Sequence, residues 1–338
     1  METLRRRTRR MFAFGKGILG LDAGPSRFAV LPDPSELAAN ISAVVLAPSV
    51  FGTGLGTGFG TGLDAPGGLL TAARAAGVLI GTRADRGNEP LGAGEGWVTS
   101  GLDGLVDRLD EMHEHGARFA VWTTAEADPA APHALTANAQ AAARFGYAAQ
   151  RAGLVPLIRV GGIARALGTG GRGPTARARM TLARSPRLRT SGTSTSGSLT
   201  SGTRTAAERA CAQAAALVSL CVHLEDLDVD LAATVLVTEP APGPRAALPV
   251  ADPLAMLPSR LGGVALVTTA RSPRGGADSV ADSVAHSVAD GIGSLRIGSG
   301  RPWPVTFYLG WPVDAGTPPT HVDQRSTHVQ DRRRRSRG

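Results

Sequence analysis

The sequence predicts an α/β fold, a closed (β/α)8 barrel, from three observations. Short apolar runs alternate with helical segments, which is typical of a parallel sheet whose strands are joined by crossover helices. Most of these runs are apolar on both faces, as strands covered on two sides are. Eight of them occur within 338 residues, and this number favours a closed barrel over an open doubly wound sheet.

The strand candidates are residues 17–22, 42–48, 78–85, 118–123, 155–160, 233–238, 263–268 and 304–309. Between them, apolar residues recur at three- and four-residue spacing. This spacing predicts helices over residues 102–115, 135–152 and 206–224. Asp103 stands where an N-cap would stabilise the first of these helices, and Gly116 stands where that helix would end.

Four segments interrupt the alternation. Residues 51–60 repeat Gly-Thr-Gly, 161–205 are rich in Gly, Ser, Thr and Arg, 277–290 repeat Ala-Asp-Ser-Val, and 331–338 contain an arginine cluster. The 161–205 tract has too little apolar surface to offset the entropy of ordering, so we expect a disordered insertion there. We therefore predict one barrel over residues 1–310, degraded in its second half, and a disordered Pro- and Arg-rich tail over 311–338.

Arginine supplies nearly all of the basic charge that gives the net value of +8, and Lys16 is the only lysine. The Ala-, Gly- and Arg-rich composition is typical of a GC-rich genome, which by itself would make the chain basic. No apolar run approaches the roughly 18 residues that span a bilayer. Cys211 and Cys221 lie in one predicted helix, a poor geometry for a disulfide. We therefore expect a cytoplasmic protein with buried thiols and no membrane partner.

Four segments, in the same order, resemble the class I fructose-bisphosphate aldolases. They begin with Gly-Lys-Gly-Ile-Leu-Gly-Leu-Asp at residues 15–22 and continue with 77–91, 101–122 and 138–156. The resemblance implies a TIM barrel that cleaves fructose 1,6-bisphosphate to dihydroxyacetone phosphate and glyceraldehyde 3-phosphate in glycolysis. It also implies a lysine Schiff base, which requires an amine of lowered pKa at the C-terminal end of a barrel strand.

The resemblance places other residue types where the family has its reactive groups. The Schiff-base lysine of the sixth strand matches Val237, or Thr238 if the alignment shifts by one residue. The strand-four lysine matches Val121, the strand-three lysine Arg83, the strand-five carboxylates Arg159 and Gly161, and the phosphate-binding positions Trp311 and residues 269–271. Because arginine is too basic to form an imine, the resemblance implies that the family reaction is lost.

Two acidic residues remain at family positions, Asp22 after the first strand and Asp85 after the third. The resemblance implies that both are catalytic acid and base groups. Arg83 and Arg159 are the candidate substrate-binding residues, for a phosphorylated sugar or another small anion. Under the alternative interpretation, Asp22 and Asp85 cap loops or pair with these arginines. Lys16 matches a position at the opposite end of the barrel from the site.

The sequence predicts no metal site and no cofactor. His113 and His115 occupy positions i and i+2 of a predicted helix and therefore do not share a face. The Gly-Thr-Gly repeat lacks the lysine of a phosphate-binding loop and does not lead into a helix, so we interpret it as a flexible loop.

Three function classes remain open. The chain is an inactive family member that acts as a binding or regulatory protein, an enzyme with another activity at the same barrel mouth, or a polyanion-binding protein that uses the arginines of residues 5–10 and 332–337. No nucleic-acid reading module accompanies these arginines, so we expect no specific nucleic-acid partner. The resemblance implies a homo-oligomer. The first class is favoured because the lost residues are concentrated at the site.

Overall fold

The structure is a computed structural model that describes residues 2–13, 15–21, 38–46, 48, 69–92, 96–125, 131–161, 206–238, 257–269 and 305–310. Within these residues, eight parallel strands form a closed barrel. They are β1 (Gly17–Gly20), β2 (Ile41–Leu46), β3 (Leu79–Arg83), β6 (Phe119–Thr123), β7 (Val155–Arg159), β8 (Val235–Thr238), β9 (Gly263–Thr269) and β10 (Val305–Gly310). The predicted fold is confirmed, and every strand begins and ends within two residues of its predicted bounds.

The barrel closes because β1 pairs with strands on both of its sides. Ile18 lies opposite Ala43 of β2 and opposite Tyr308 of β10. Two further short strands, β4 (Asn88–Pro90) and β5 (Trp97–Thr99), form an antiparallel pair after β3. The sequence did not predict this pair, whose first strand is exposed and has no apolar pattern.

Strand side chains alternate between the barrel interior and the surrounding helices. The interior cluster is apolar and includes Ile18, Val45, Phe119, Val121, Leu157, Val235, Val237 and Tyr308. The outward-facing residues join a second cluster with the helices, and Trp122 stacks there on Phe145 with ring centroids 5.4 Å apart. A parallel sheet covered on both sides explains why the strands read as continuous apolar runs.

Five α-helices are described: α1 (Glu2–Met11), α2 (Leu69–Ala75), α3 (Leu105–Glu114), α4 (Pro132–Arg151) and α5 (Ala206–Asp226). The last three confirm the predicted helices. The predicted cap at Asp103 is wrong, because the cap position of α3 is Gly104, which has a left-handed φ of 61° and makes no side-chain bond. The helix ends before Gly116 as predicted, and the φ of 93° there suits glycine.

Helix α1 closes the N-terminal end of the barrel. Leu4 and Met11 belong to the interior cluster, and Phe12 packs against it. The Phe12 ring occupies the space that a side chain at Gly263 would need. Thr8 is fully buried and donates its hydroxyl to the carbonyl of Leu4 at 3.1 Å. The helix is therefore part of the core.

The arginines of α1 fasten it to the barrel. Arg5 bonds to the carboxylate of Asp230 at 2.7 Å, Arg7 to the carbonyl of Gly153 at 2.6 Å, and Arg10 to the carbonyl of Gly77 at 2.8 Å. These contacts give the arginines of residues 5–10 a structural role. The arginines of residues 332–337 lie outside the described residues.

The predicted insertion, apart from Gly161, and the predicted tail over 311–338 also lie outside the described residues. The domain boundaries therefore stay predictions. In the part of the chain that the structure describes, no helix is both long and apolar enough to cross a membrane.

The two cysteines of α5 differ, which corrects the expectation of two buried thiols. Cys221 is buried while Cys211 is exposed. Burial raises the pKa of the Cys221 thiol to about 12, with a smaller contribution from Glu225.

Because the thiolate is the nucleophile, we expect iodoacetamide at pH 8 to modify Cys211 and leave Cys221 unmodified. Peptide mass spectrometry measures both sites, and equal modification in denaturant is the control. Fast native labelling of Cys221 would contradict the packing of α5.

Candidate functional site

The C-terminal ends of the strands bring the predicted site residues to one end of the barrel. Arg83 ends β3 and lies opposite Val121 of β6. Arg159 ends β7 and lies between Thr123 of β6 and Val237 of β8. Because strands of a parallel barrel all end on the same side, these residues surround one mouth.

Asp85 bridges two elements at this mouth. Its side chain is only 1% exposed and forms an ion pair with Arg83, whose side chain is 33% exposed. The carboxylate also accepts the backbone N–H of Gly87 at 3.3 Å and that of Thr123 at 3.1 Å. The carboxylate therefore holds the end of β3 against the end of β6, which agrees with the alternative interpretation of this residue.

Arg159 lies inside the barrel and is 4% exposed. Its guanidinium carbon lies 4.9 Å from the centroid of the Tyr308 ring, and its Nη1 donates to the Tyr308 hydroxyl at 3.4 Å. The ring face attracts the cation, and this attraction strengthens where water is excluded. Gly20 makes room for the arrangement, since a Cβ at that position would collide with the hydroxyl end of Tyr308.

Tyr308 is a site residue that the sequence pattern did not predict. It lies 149 positions from Arg159, and only the closure of the barrel brings the two together. The available signal was a tyrosine in an otherwise apolar strand, because a buried tyrosine hydroxyl usually requires a hydrogen-bond partner.

Val237 and Val121 both face the barrel interior and are fully buried. Thr238, the next residue of β8, faces the opposite way: its hydroxyl bonds to the side chain of Gln213 on α5. The sequence left open whether Val237 or Thr238 matches the family's Schiff-base lysine. Of these two residues of β8, only Val237 points into the barrel.

Other predicted site positions are only partly described. Asp22, Trp311 and residues 270–271 lie outside the described residues. Gly161 donates its backbone N–H to the hydroxyl of Thr124 at 2.8 Å. The structure thus brings Arg83, Asp85 and Arg159 to one mouth.

Lys16 lies at the other end of the barrel, immediately before β1. Its ammonium group donates to the carbonyl of Ala38. Its own carbonyl accepts the hydroxyl of Thr306 at 2.7 Å, at the start of β10. The only amine side chain of the sequence is therefore far from the mouth.

His113 of α3 and His115, at the C-terminal cap position of the same helix, face different surroundings, as their spacing predicts. His113 packs over Gly153, and burial lowers its pKa, with Arg118 and Arg7 lowering it further. His115 is exposed and bonds to the carbonyl of Glu111 at 2.8 Å. Among the described residues, no three His, Cys, Asp or Glu side chains are placed to hold a metal ion.

Asn138 of α4 organises the backbone beside the mouth. Its amide oxygen accepts the N–H groups of Thr99 at 3.0 Å and Ala125 at 3.3 Å. Its amide nitrogen donates to the carbonyls of Trp97 at 2.7 Å and Ala134 at 2.8 Å. This buried side chain joins β5 to α4 and to the segment after β6, and it therefore fixes the backbone beside the mouth.

Comparison with known proteins gives one family. Residues 34–164 match the family model described as fructose-bisphosphate aldolase class-I. A probable fructose-bisphosphate aldolase class 1 of Xanthomonas campestris pv. campestris is 41% identical over 86 residues, which cover 24% of this chain and 26% of that protein. Fructose-bisphosphate aldolase 3, chloroplastic, of Arabidopsis thaliana is 40% identical over 88 residues, which cover 25% of this chain and 22% of that protein. The chain thus spans about a quarter of the length of the curated relatives it matches.

A solved structure extends the similarity to the whole fold. The fructose-bisphosphate aldolase of Plasmodium falciparum, solved in complex with TRAP and a small-molecule inhibitor, superimposes with a TM-score of 0.59 at 20% identity. The superposition covers 91% of this chain and 84% of that one. At this identity the similarity shows the shared barrel.

The contacts of Asp85 predict a cost in stability when it is altered. Asp85→Asn places an amide NH2 against groups that already donate, so we expect a loss of about 1–3 kcal/mol in the free energy of unfolding. Arg83→Gln is the matched comparison, and we expect a loss of about 1–3 kcal/mol there as well, because the buried carboxylate keeps its two backbone donors but loses its charge partner. Urea denaturation measures both variants. An Asp85→Asn variant as stable as the parent would show that these bonds do not support the fold.

Proposed function

We propose that the chain is a non-catalytic barrel of the class I fructose-bisphosphate aldolase family, which acts as a binding or regulatory protein; the match of residues 34–164 to that family's model supports this. The observation that supports this most strongly is the valine at the inward position of β8. Val237 is fully buried beside Arg159, within an apolar interior. A ketone sugar that entered the mouth would meet no amine there.

The chemistry explains why this position decides the reaction. Aldol cleavage through a Schiff base needs a neutral amine that attacks the ketone, and the resulting iminium accepts the electrons of the broken bond. By the family match, the amine belongs at Val237. Valine cannot form an imine, and the Lys16 ammonium lies at the opposite end, bonded to the carbonyl of Ala38. The resemblance and the register of β8 therefore support the same proposal.

The neighbouring groups also support it. A general acid or base must reach the substrate and exchange protons with it. The carboxylate of Asp85 is instead occupied by Arg83 and by two backbone N–H groups. Arg159, at the position matched to a family carboxylate, stacks on Tyr308 and carries the opposite charge to that carboxylate.

The ligand class that suits this mouth is a small anion such as a phosphorylated sugar. Arg83 and Arg159 carry two positive charges, of which Asp85 balances one. We propose the same cytoplasmic location and homo-oligomeric assembly that the resemblance implies. Polyanion binding is the weaker alternative, because three arginines of α1 bond to the barrel.

Reduction with borohydride tests the proposal directly. The purified protein is incubated with fructose 1,6-bisphosphate and sodium borohydride, which converts any imine to a stable amine. We expect no mass increase in the intact protein, and in a parallel coupled assay we expect no release of glyceraldehyde 3-phosphate above the buffer rate. An active class I aldolase serves as the positive control in both measurements.

The variant Lys16→Arg separates the two ways in which the proposal could fail. An adduct that disappears in Lys16→Arg would show that Lys16 reacts with the substrate, despite its place at the other end of the barrel. Cleavage that persists in Lys16→Arg would show catalysis without a lysine. Either result would overturn the non-catalytic assignment.

A further inference from the structure

A cleft separate from the mouth lies at the N-terminal end of the barrel, between α1, the start of β2 and the turn before β3. Arg10, Lys16, Ile41 and Ser42 contribute to its walls, and its volume is about 130 Å³. That volume is well above the roughly 10–15 Å³ that a single water molecule needs. The cleft is therefore large enough for a small polyatomic ion.

Among the described residues, the walls of this cleft carry positive charge and no acidic side chain. Two of the lining residues are cations, Arg10 and Lys16, and none is Asp or Glu. Arg10 donates to the carbonyl of Gly77 at 2.8 Å, and Lys16 donates to the carbonyl of Ala38. Within the described ranges, neither cation pairs with a carboxylate. Two like charges at one cleft favour an anion between them.

Both cations keep further N–H groups for a ligand. An ammonium group has three donors and a guanidinium five, and the carbonyls of Ala38 and Gly77 use one donor of each. The hydroxyl of Ser42 donates to the carbonyl of Met11 at 2.7 Å. The serine thus holds the end of α1 against β2, and among the described lining residues the other side-chain donors are those of Arg10 and Lys16.

We propose that this cleft binds a small oxyanion of the phosphate type through Lys16 and Arg10. The ion connects α1 to the start of β1, so that its binding stabilises the helix that closes the barrel. The cleft lies at the opposite end from Asp85 and Arg159, and the proposal is independent of what the mouth does.

The single lysine makes the cleft directly measurable. An N-hydroxysuccinimide ester acetylates only Lys16 and the α-amino group of the chain, and mass spectrometry quantifies both. At a phosphate concentration ten times its Kd, we expect acetylation of Lys16 to slow about tenfold, by mass action. The α-amino group, as internal reference, stays unchanged. Chloride at the same ionic strength separates specific binding from charge screening.

Variants on α1 assign the binding to the cleft. Arg10→Gln removes one ligand cation, and we expect the Kd for phosphate to rise about tenfold, because a charge-assisted hydrogen bond is lost. Arg6→Gln is the matched control: it removes the same charge from an exposed position of the same helix outside the cleft. We expect it to keep the parent Kd. Thermal unfolding shows whether each variant is folded.

Several results would overturn the proposal. These are equal protection by chloride, an equal loss of binding in Arg6→Gln, or no protection of Lys16 at tens of millimolar phosphate. Glycerol phosphate identifies the source of the anion. Protection by this ester would show that the cleft accepts an esterified phosphate, and protection by inorganic phosphate alone would restrict it to the free ion.

Discussion

The closed barrel has a fixed interior, and the rest of the structure depends on filling it. Eight strands place their inward side chains in one space, so that a large residue on one strand requires a small one beside it. The ring of Phe119 fills the position above Gly81, and Tyr308 does so above Gly20. At the N-terminal end, Phe12 fills the space beside Gly263. The glycines are therefore needed for packing, in addition to any role in turns.

This packing requirement also limits what the mouth can do. A catalytic barrel needs polar groups in its upper interior and must satisfy each of them without water. Here Val121 and Val237 fill that layer with apolar side chains, and the arginine among them lies against an aromatic ring. The apolar side chains of this layer need no hydrogen-bond partner. Under the proposal of a non-catalytic barrel, the valines that fill this layer stand where the family match places reactive lysines.

The sequence predicted the strands well because burial on both faces produces continuous apolar runs. It missed α1, whose arginines concealed a buried face made by Leu4, Thr8 and Met11 at helical spacing.

For the candidate site, the sequence offered the pairing of Asp85 with Arg83 as an alternative, since the two are close in sequence. The stacking of Arg159 on Tyr308 depends on strands far apart in the chain, and no local pattern contains it. The register of β8 was likewise decided only by the structure, through the contact of Thr238 with Gln213.

The cations at the two ends of the barrel have different kinds of partner. At the mouth, Arg83 has a carboxylate partner and Arg159 lies over a tyrosine ring, so each cation has a partner from the protein itself. At the other end, Arg10 and Lys16 bond to neutral carbonyls, which orient them but do not neutralise their charge. An anion therefore gains more electrostatic stabilisation at the N-terminal end, although barrels of this type usually bind their ligands at the C-terminal end. This difference arises because Lys16, the only lysine of the sequence, lies at the N-terminal end.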